Sequence, residues 1–220
     1  MEATLMRLPS VLTTVFFLAM FALPTLLSAE EFRVWGGKTD DYTDSKGRVW
    51  YGAQQENQSW GGWIELAPRT AEVKELTADA QAQAEAAGYD VDLFYAVSWA
   101  QFPATVKYQF KTGDGAFDVT YLVGEHWSPN NRGFDIFIEE ENVEPLYVTP
   151  GRHEIDIKTY PGIIVSDGTL DFDFAGNAET GAGDLNAMFS ALEVVPAVST
   201  AVDPKQKLTT TWGALKSNRQ

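Results

Sequence analysis

The sequence contains no cysteine. That excludes a disulfide scaffold, a thiolate zinc site, a cysteine nucleophile and a lipidated N-terminal cysteine. Histidine is almost as scarce: His126 and His153 are the two present, too few for a His-rich metal site. Basic residues are also few. In 220 residues, 16 Lys and Arg face 31 Asp and Glu, a formal charge of −15. Neutralising phosphates requires clustered Lys and Arg, so this surface repels nucleic acid. The chain lacks a Gly-x-Ser-x-Gly elbow, a His-Glu-x-x-His pair, a phosphate-cradling Gly-Lys-Ser/Thr loop and a dinucleotide fingerprint. Neither a cofactor nor a resident metal is expected. Beyond the first thirty residues no apolar run is long enough to span a bilayer.

Those first residues have their own logic. Arg7 precedes an apolar stretch from Val11 to Leu27, which closes on Leu27-Ser28-Ala29 before Glu30-Glu31. A charged start, an apolar centre and a small-residue exit make residues 1–29 a secretory signal peptide. The rival reading is a retained anchor, but Thr13, Thr14 and Pro24 interrupt a stretch already short of the roughly 20 residues a spanning helix needs. Export without disulfides suits a bacterial periplasm, cell surface or medium. The expected mature chain has two parts. Residues 30–198 carry 11 basic and 29 acidic side chains, a net −18. Residues 199–220 form a basic tail, with Lys205, Lys207, Lys216 and Arg219 against Asp203. The tail either stays disordered, folds back on the acidic body or docks a protein partner.

With 45% hydrophobic residues the chain can build a core. Period-two alternation predicts strands in Thr105–Phe110, Phe117–Tyr121, Glu154–Lys158 and Leu170–Phe174, with Ala187–Val195 closing the series. Gly113-Asp114-Gly115, Pro150-Gly151, Pro161-Gly162 and Asp167-Gly168 predict turns between them. Gly115 predicts a hairpin joining 104–111 to 116–124. Many short strands without β-α-β alternation give an all-β fold, a β-sandwich or jelly roll. One helix is inserted around 70–87, capped by Thr70 and stopped by Gly88.

Seven tryptophans are many for this length. Trp35 and Trp50 read as core. Trp60 and Trp63 flank Gly61-Gly62 and read as loop, and Trp127 follows a strand end in Glu125-His126-Trp127-Ser128-Pro129-Asn130-Asn131. A pyranose presents C–H groups on one face and hydroxyls round its edge. A flat indole covers the first, and Asp, Asn or Gln bond the second. For any single tryptophan the competing reading is interior packing. Asp40, Asp41 and Asp44 either gather calcium or form an acidic Asx turn, and the latter is favoured. Asn57-Gln58-Ser59 fits a glycosylation pattern, which carries no weight in a bacterial protein.

A series of motifs resembles the malectin domain, a carbohydrate-binding β-sandwich with a galactose-binding-like jelly roll. Val34-Trp35-Gly36-Gly37 and Tyr42-Thr43-Asp44-Ser45-x-Gly47-x-x-Trp50 are similar to its opening. Gly115-x-Phe117-x-Val119-x-Tyr121-x-Val123-x-Glu125, Arg132-Gly133-Phe134-Asp135-Ile136, Asp167-Gly168-x-Leu170-x-Phe172 and Ser190-Ala191-Leu192-Glu193-Val194 follow in order, from about Arg33 to Val195. The resemblance implies pocket positions at Trp99, at Trp127-Ser128, near Trp60 with Trp63 as a rival, and at Asp184. His126 is added as a hydroxyl partner. Ser98 replaces an arginine of the family, and Trp35 stands beside the position of an asparagine. The expected protein is an exported, non-catalytic module that binds an oligo- or polysaccharide. The alternative is a structural or protein-interaction module of the cell envelope. A glycan-active enzyme would need two carboxylates facing each other at roughly 5–9.5 Å, and no motif pairs two.

Overall fold

The computed structural model describes residues 30–55, 61–64 and 66–197. The expected signal peptide, Asn57, Trp60 and the basic tail lie outside the described residues. Two sheets face each other. One has the order β11-β8-β14-β1-β3-β2, built from β1 (Phe32–Trp35), β2 (Tyr42–Thr43), β3 (Val49–Gly52), β8 (Gly115–Glu125), β11 (Glu154–Val165) and β14 (Ala191–Pro196). The other has the order β10-β9-β12-β7-β4, from β4 (Gly61–Trp63), β7 (Val106–Phe110), β9 (Gly133–Ile138), β10 (Glu141–Val148) and β12 (Leu170–Gly176). A small third sheet, β13-β6-β5, joins β5 (Arg69–Glu72), β6 (Ala96–Trp99) and β13 (Met188–Phe189). The all-β sandwich follows from the alternation. Val106, Tyr108 and Phe110 on β7 and Leu170, Phe172 and Phe174 on β12 meet Phe117, Val119 and Tyr121 of β8 in one core.

That core corrects the expected hairpin. β7 and β8 are consecutive in sequence but lie in opposite sheets. The turn at Gly113 (φ 73°) carries the chain across the sandwich, and its N–H donates to Gly168 O at 2.9 Å, tying it to the turn between β11 and β12, which also crosses. Alternation states which side chains share a face. It does not state whether two such faces lie side by side or opposite. Pro161-Gly162 is a second correction. It is a bulge inside edge strand β11, with the register shifting between Tyr160 and Ile163. Proline is tolerated there because an edge strand has an unpaired side.

The helix is shorter than expected. α1 spans Ala78–Ala87, and Thr77 is its cap, accepting from Ala80 N–H at 3.1 Å. Thr70 instead lies in β5, where the ladder with β6 satisfies its backbone. Gly88 (φ 77°) stops the helix as expected. Ala80 and Ala84 form its buried stripe. Together with Leu76 and the short turn Val91–Phe94, they cover the outer face of the six-stranded sheet over Trp50, Leu122, Ile155 and Ala191. Period two therefore fades along β8, which is buried on both faces from Val119 to Glu125 apart from small openings. Gly124 lets this layer approach: a Cβ there would collide with the backbone oxygen of Phe94.

Candidate functional site

The loop after β8 and the segment before β13 converge. Arg132 and Asp184 form an isolated parallel bridge, in which Gly133 N–H donates to Asp184 O and Asp184 N–H to Asn131 O, each at 2.8 Å. Between this junction and the small sheet lies a hollow of about 280 Å³. Its apolar wall includes Trp99, Trp127, Val97 and Met188, and its polar end is Asp184, Ser128, Arg132 and Asn186.

Each member is held from behind. Trp99 ends β6, paired with Arg69 of β5 on one side and Met188 of β13 on the other. The Arg69 guanidinium sits 5.1 Å from the centre of its ring. Its Nε1–H is buried without an acceptor among the described residues. Trp127 and Ser128 are fixed by the carboxylate of Glu125, which is wholly buried. Glu125 Oε1 accepts from both backbone N–H groups, at 2.7 and 2.9 Å. Glu125 Oε2 accepts from Arg132 Nε at 3.1 Å and Thr149 Oγ1 at 2.9 Å. Arg132 reaches on from Glu125 to Asp184 Oδ2 at 3.0 Å, and Ser128 Oγ donates to the same oxygen at 2.5 Å. Asp184 Oδ1 accepts from Asn186 N–H at 2.9 Å. A carboxylate offers about four acceptor positions; these three contacts leave one for an incoming donor. Ser128, whose proton is committed to Asp184, keeps lone pairs that can accept.

Of the residues expected at the site, Trp99, Trp127 and Asp184 line this one hollow. Trp63 does not. It lies in β4 opposite Tyr108, half-buried against the core. The glycines beside it read as a loop, but at φ 127° and 155° Gly61 and Gly62 pair with Phe110 and Gln109 as strand. His126 is also displaced from the expectation. It is 2% exposed and stands behind Trp127, its ring nitrogens spent on Phe94 O and His153. Arg132 and Asn186 were not anticipated as site residues. The signal for Arg132 was available: a lone cation seven residues past Glu125, in a strongly acidic chain.

The other candidates are structural. Trp50 is fully buried, and its Nε1–H donates to Asp44 at 3.0 Å. Trp35 is half-buried, packed on Tyr42 with centroids 5.0 Å apart. Asp44 Oδ1 closes a turn by accepting from Lys46 and Arg48 N–H, so its oxygens face internal donors. Ser98, in the place of the family's arginine, is buried and accepts from Gly37 N–H at 2.9 Å.

No protein-family signature matches this sequence, and no curated protein matches it. Solved structures do. The extracellular domain of ANXUR2 from Arabidopsis thaliana is 16% identical with a TM-score of 0.63, over 77% of this chain and 49% of that one. Plant FER, in its complex with the peptide RALF23 and with LLG2, is 14% identical with a TM-score of 0.61, over 77% and 49%. Bacteroides uniformis β-glucuronidase 2 is 18% identical with a TM-score of 0.56, over 76% of this chain and 18% of that one. The chain thus spans about half of the plant ectodomains and under a fifth of the glucuronidase. At these identities the likeness is one of fold, and the fold is malectin-like.

Proposed function

We propose that this chain is an exported, non-catalytic carbohydrate-binding module. Residues 1–29 direct export, 30–198 bind the glycan, and 199–220 are an appended basic tail. The observation that carries the reading is the meeting of Trp99, Trp127 and Asp184, distant in sequence, around one hollow. Two indoles supply an apolar wall for the C–H face of a pyranose. Asp184, Ser128 and Arg132 supply an acceptor, a hydroxyl and a cation for its rim. At about 280 Å³ the hollow falls at the small end of ligand pockets, so it suits one sugar ring of a longer glycan. Affinity is weak, in the micromolar to millimolar range, because little area is buried against the cost of ordering.

The non-catalytic reading rests on the carboxylates. Glu125 is the acid nearest in the network to Asp184, but it is wholly buried behind Arg132 and is saturated with donors. It cannot meet a substrate water or a glycosidic oxygen. The test is a glycan array probed with the purified chain and with Trp99→Ala combined with Trp127→Ala. Binding to a defined glycan that the double variant loses supports the reading; undiminished binding by the variant refutes the site. A second reading, a protein-interaction module on the same sandwich, draws on FER, which is seen in complex with a peptide and a second protein. Co-purification of a protein partner without any glycan binding would select it.

A further inference from the structure

The hollow described above stops at Trp99, but the surface does not. Trp99 also lines a second hollow of about 190 Å³, together with Leu66, Pro68, Arg69, Gln101, Ala104 and Thr105. Resting on the carbohydrate reading, we propose that this is a second subsite, and that it takes a sugar unit bearing a carboxylate, gripped by Arg69.

Two observations on the molecule lead there. First, Trp99 lines both hollows, so a glycan seated against Trp127 and Asp184 that continues past the indole enters the second one. Second, Arg69 is placed as an anion receptor. Its guanidinium carbon lies 5.1 Å from the centre of the Trp99 ring on an exposed side chain, and a guanidinium fork matches the two oxygens of a carboxylate. Among the described residues no carboxylate pairs with it, whereas Arg33, Arg48 and Arg132 are each held by acids; Arg152, which likewise lacks one, is spent on His126 O and lines neither hollow.

The charge count also limits the ligand. Among the described residues that line or back the two hollows, Arg69 and Arg132 offset Glu125 and Asp184, and Arg69 alone is left to pair one carboxylate. The surrounding net of −18 repels a polyanion. The preferred glycan therefore pairs one uronic acid with a neutral unit, and a polyuronate is disfavoured.

The experiment is calorimetric titration of the full chain with a disaccharide of one uronic acid and one neutral hexose, with its carboxyl methyl ester, with a sulfated neutral disaccharide and with a polyuronate. The acid should bind about tenfold tighter than the ester at low salt, an advantage that shrinks as salt screens the exposed pair. Arg69→Gln should erase the preference, binding acid and ester alike, while Trp99→Ala weakens both. Equal binding of acid and ester, or a preference that survives in Arg69→Gln, overturns the subsite. Tighter binding of the sulfated sugar than of the acid overturns the carboxylate. Ester binding that needs Trp99, with no acid preference, leaves the carbohydrate reading standing and removes this one alone. Failure of every sugar removes both.

Discussion

The His126 ring stands edge-on to the Trp127 indole, with centroids 5.2 Å apart and planes at 88°. Phe94 O can only accept, so His126 Nε2 carries the proton of their 3.0 Å bond, and its bare Nδ1 accepts from His153 Nδ1 at 3.1 Å. Burial holds His126 below the ordinary imidazole range; the Phe94 bond opposes that, and His153 reinforces it. Glu125 and Glu75 lie close enough to act on its charge, and Arg152 donates to its carbonyl at 2.9 Å. A histidine with a depressed pKa contributes stability that is complete above about pH 6.5 and is lost as the pH falls through the folded value. Acidification from about pH 7.5 to about pH 5 should therefore lower the melting temperature and shift tryptophan emission as the support of Trp127 loosens. In His126→Phe this pH dependence should be much reduced. A variant whose melting temperature falls as steeply as that of the parent would rule out His126 as the source.

Arg132 joins the carboxylate of Asp184 to that of Glu125, which is wholly buried. Arg132→Met leaves Glu125 charged, buried and short of a partner. The expected loss is about 3–5 kcal/mol in urea denaturation. Asp184→Asn keeps acceptors for Ser128 and Asn186 and should cost about 1 kcal/mol. Similar losses in the two variants would show that Glu125 does not depend on Arg132.

The tryptophans separate into two kinds by what their loss does. Trp63 packs on the core from β4 and touches neither hollow. Trp63→Ala should cost about 2–3 kcal/mol of stability and leave the sugar affinity of the folded protein unchanged. Trp99→Ala should lose binding, whatever its effect on stability. Titrations on both variants below their melting temperatures check this, and lost binding in Trp63→Ala would extend the site to β4.

Alternation made the sandwich legible, since Val106, Tyr108 and Phe110 must turn one way and Lys107 and Gln109 the other. It could not reveal that β7 and β8 face each other, because a hairpin and a crossing arch share one pattern. At the site, Trp99, Trp127 and Asp184 were accessible through the resemblance to the malectin domain. The positions of His126 and Trp63 were not, because a ring in a loop and a ring behind a loop have the same sequence neighbours. The buried Glu125–Arg132 pair depends on a long-range bridge between residues 132 and 184 that local periodicity does not encode.

The start of α1 offers a direct test of local against tertiary preference. Thr70 and Thr77 both precede alanine-rich, acidic segments, yet only Thr77 caps, through Ala80 N–H. Thr77→Ala should cost about 1 kcal/mol. Thr70→Ala, at an exposed strand position, should stay within about 0.5 kcal/mol. Chemical denaturation of the two variants distinguishes the positions, and a larger loss at Thr70 would place the helix start earlier.

Asp44 ties the opening turn to the buried layer around Trp50. Its Oδ2 accepts from Arg48 Nε at 2.6 Å and from Trp50 Nε1 at 3.0 Å. Burial alone would raise its pKa, but the bonds from Trp50 and Arg48 outweigh it and hold the carboxyl below the usual range. A carboxylate with a depressed pKa contributes stability that is present above about pH 3.9 and is lost as the pH falls through the folded value. Asp44→Ala removes the charge and leaves the Trp50 Nε1–H buried without an acceptor, at a cost of about 2–3 kcal/mol at neutral pH. Asp44→Asn should lose less at pH 7 and show a shallower fall in stability below about pH 4, because the group that titrates there is gone. If parent and Asp44→Asn lose stability in parallel across that range, the acid sensitivity belongs to other carboxylates, and this turn contributes through shape alone.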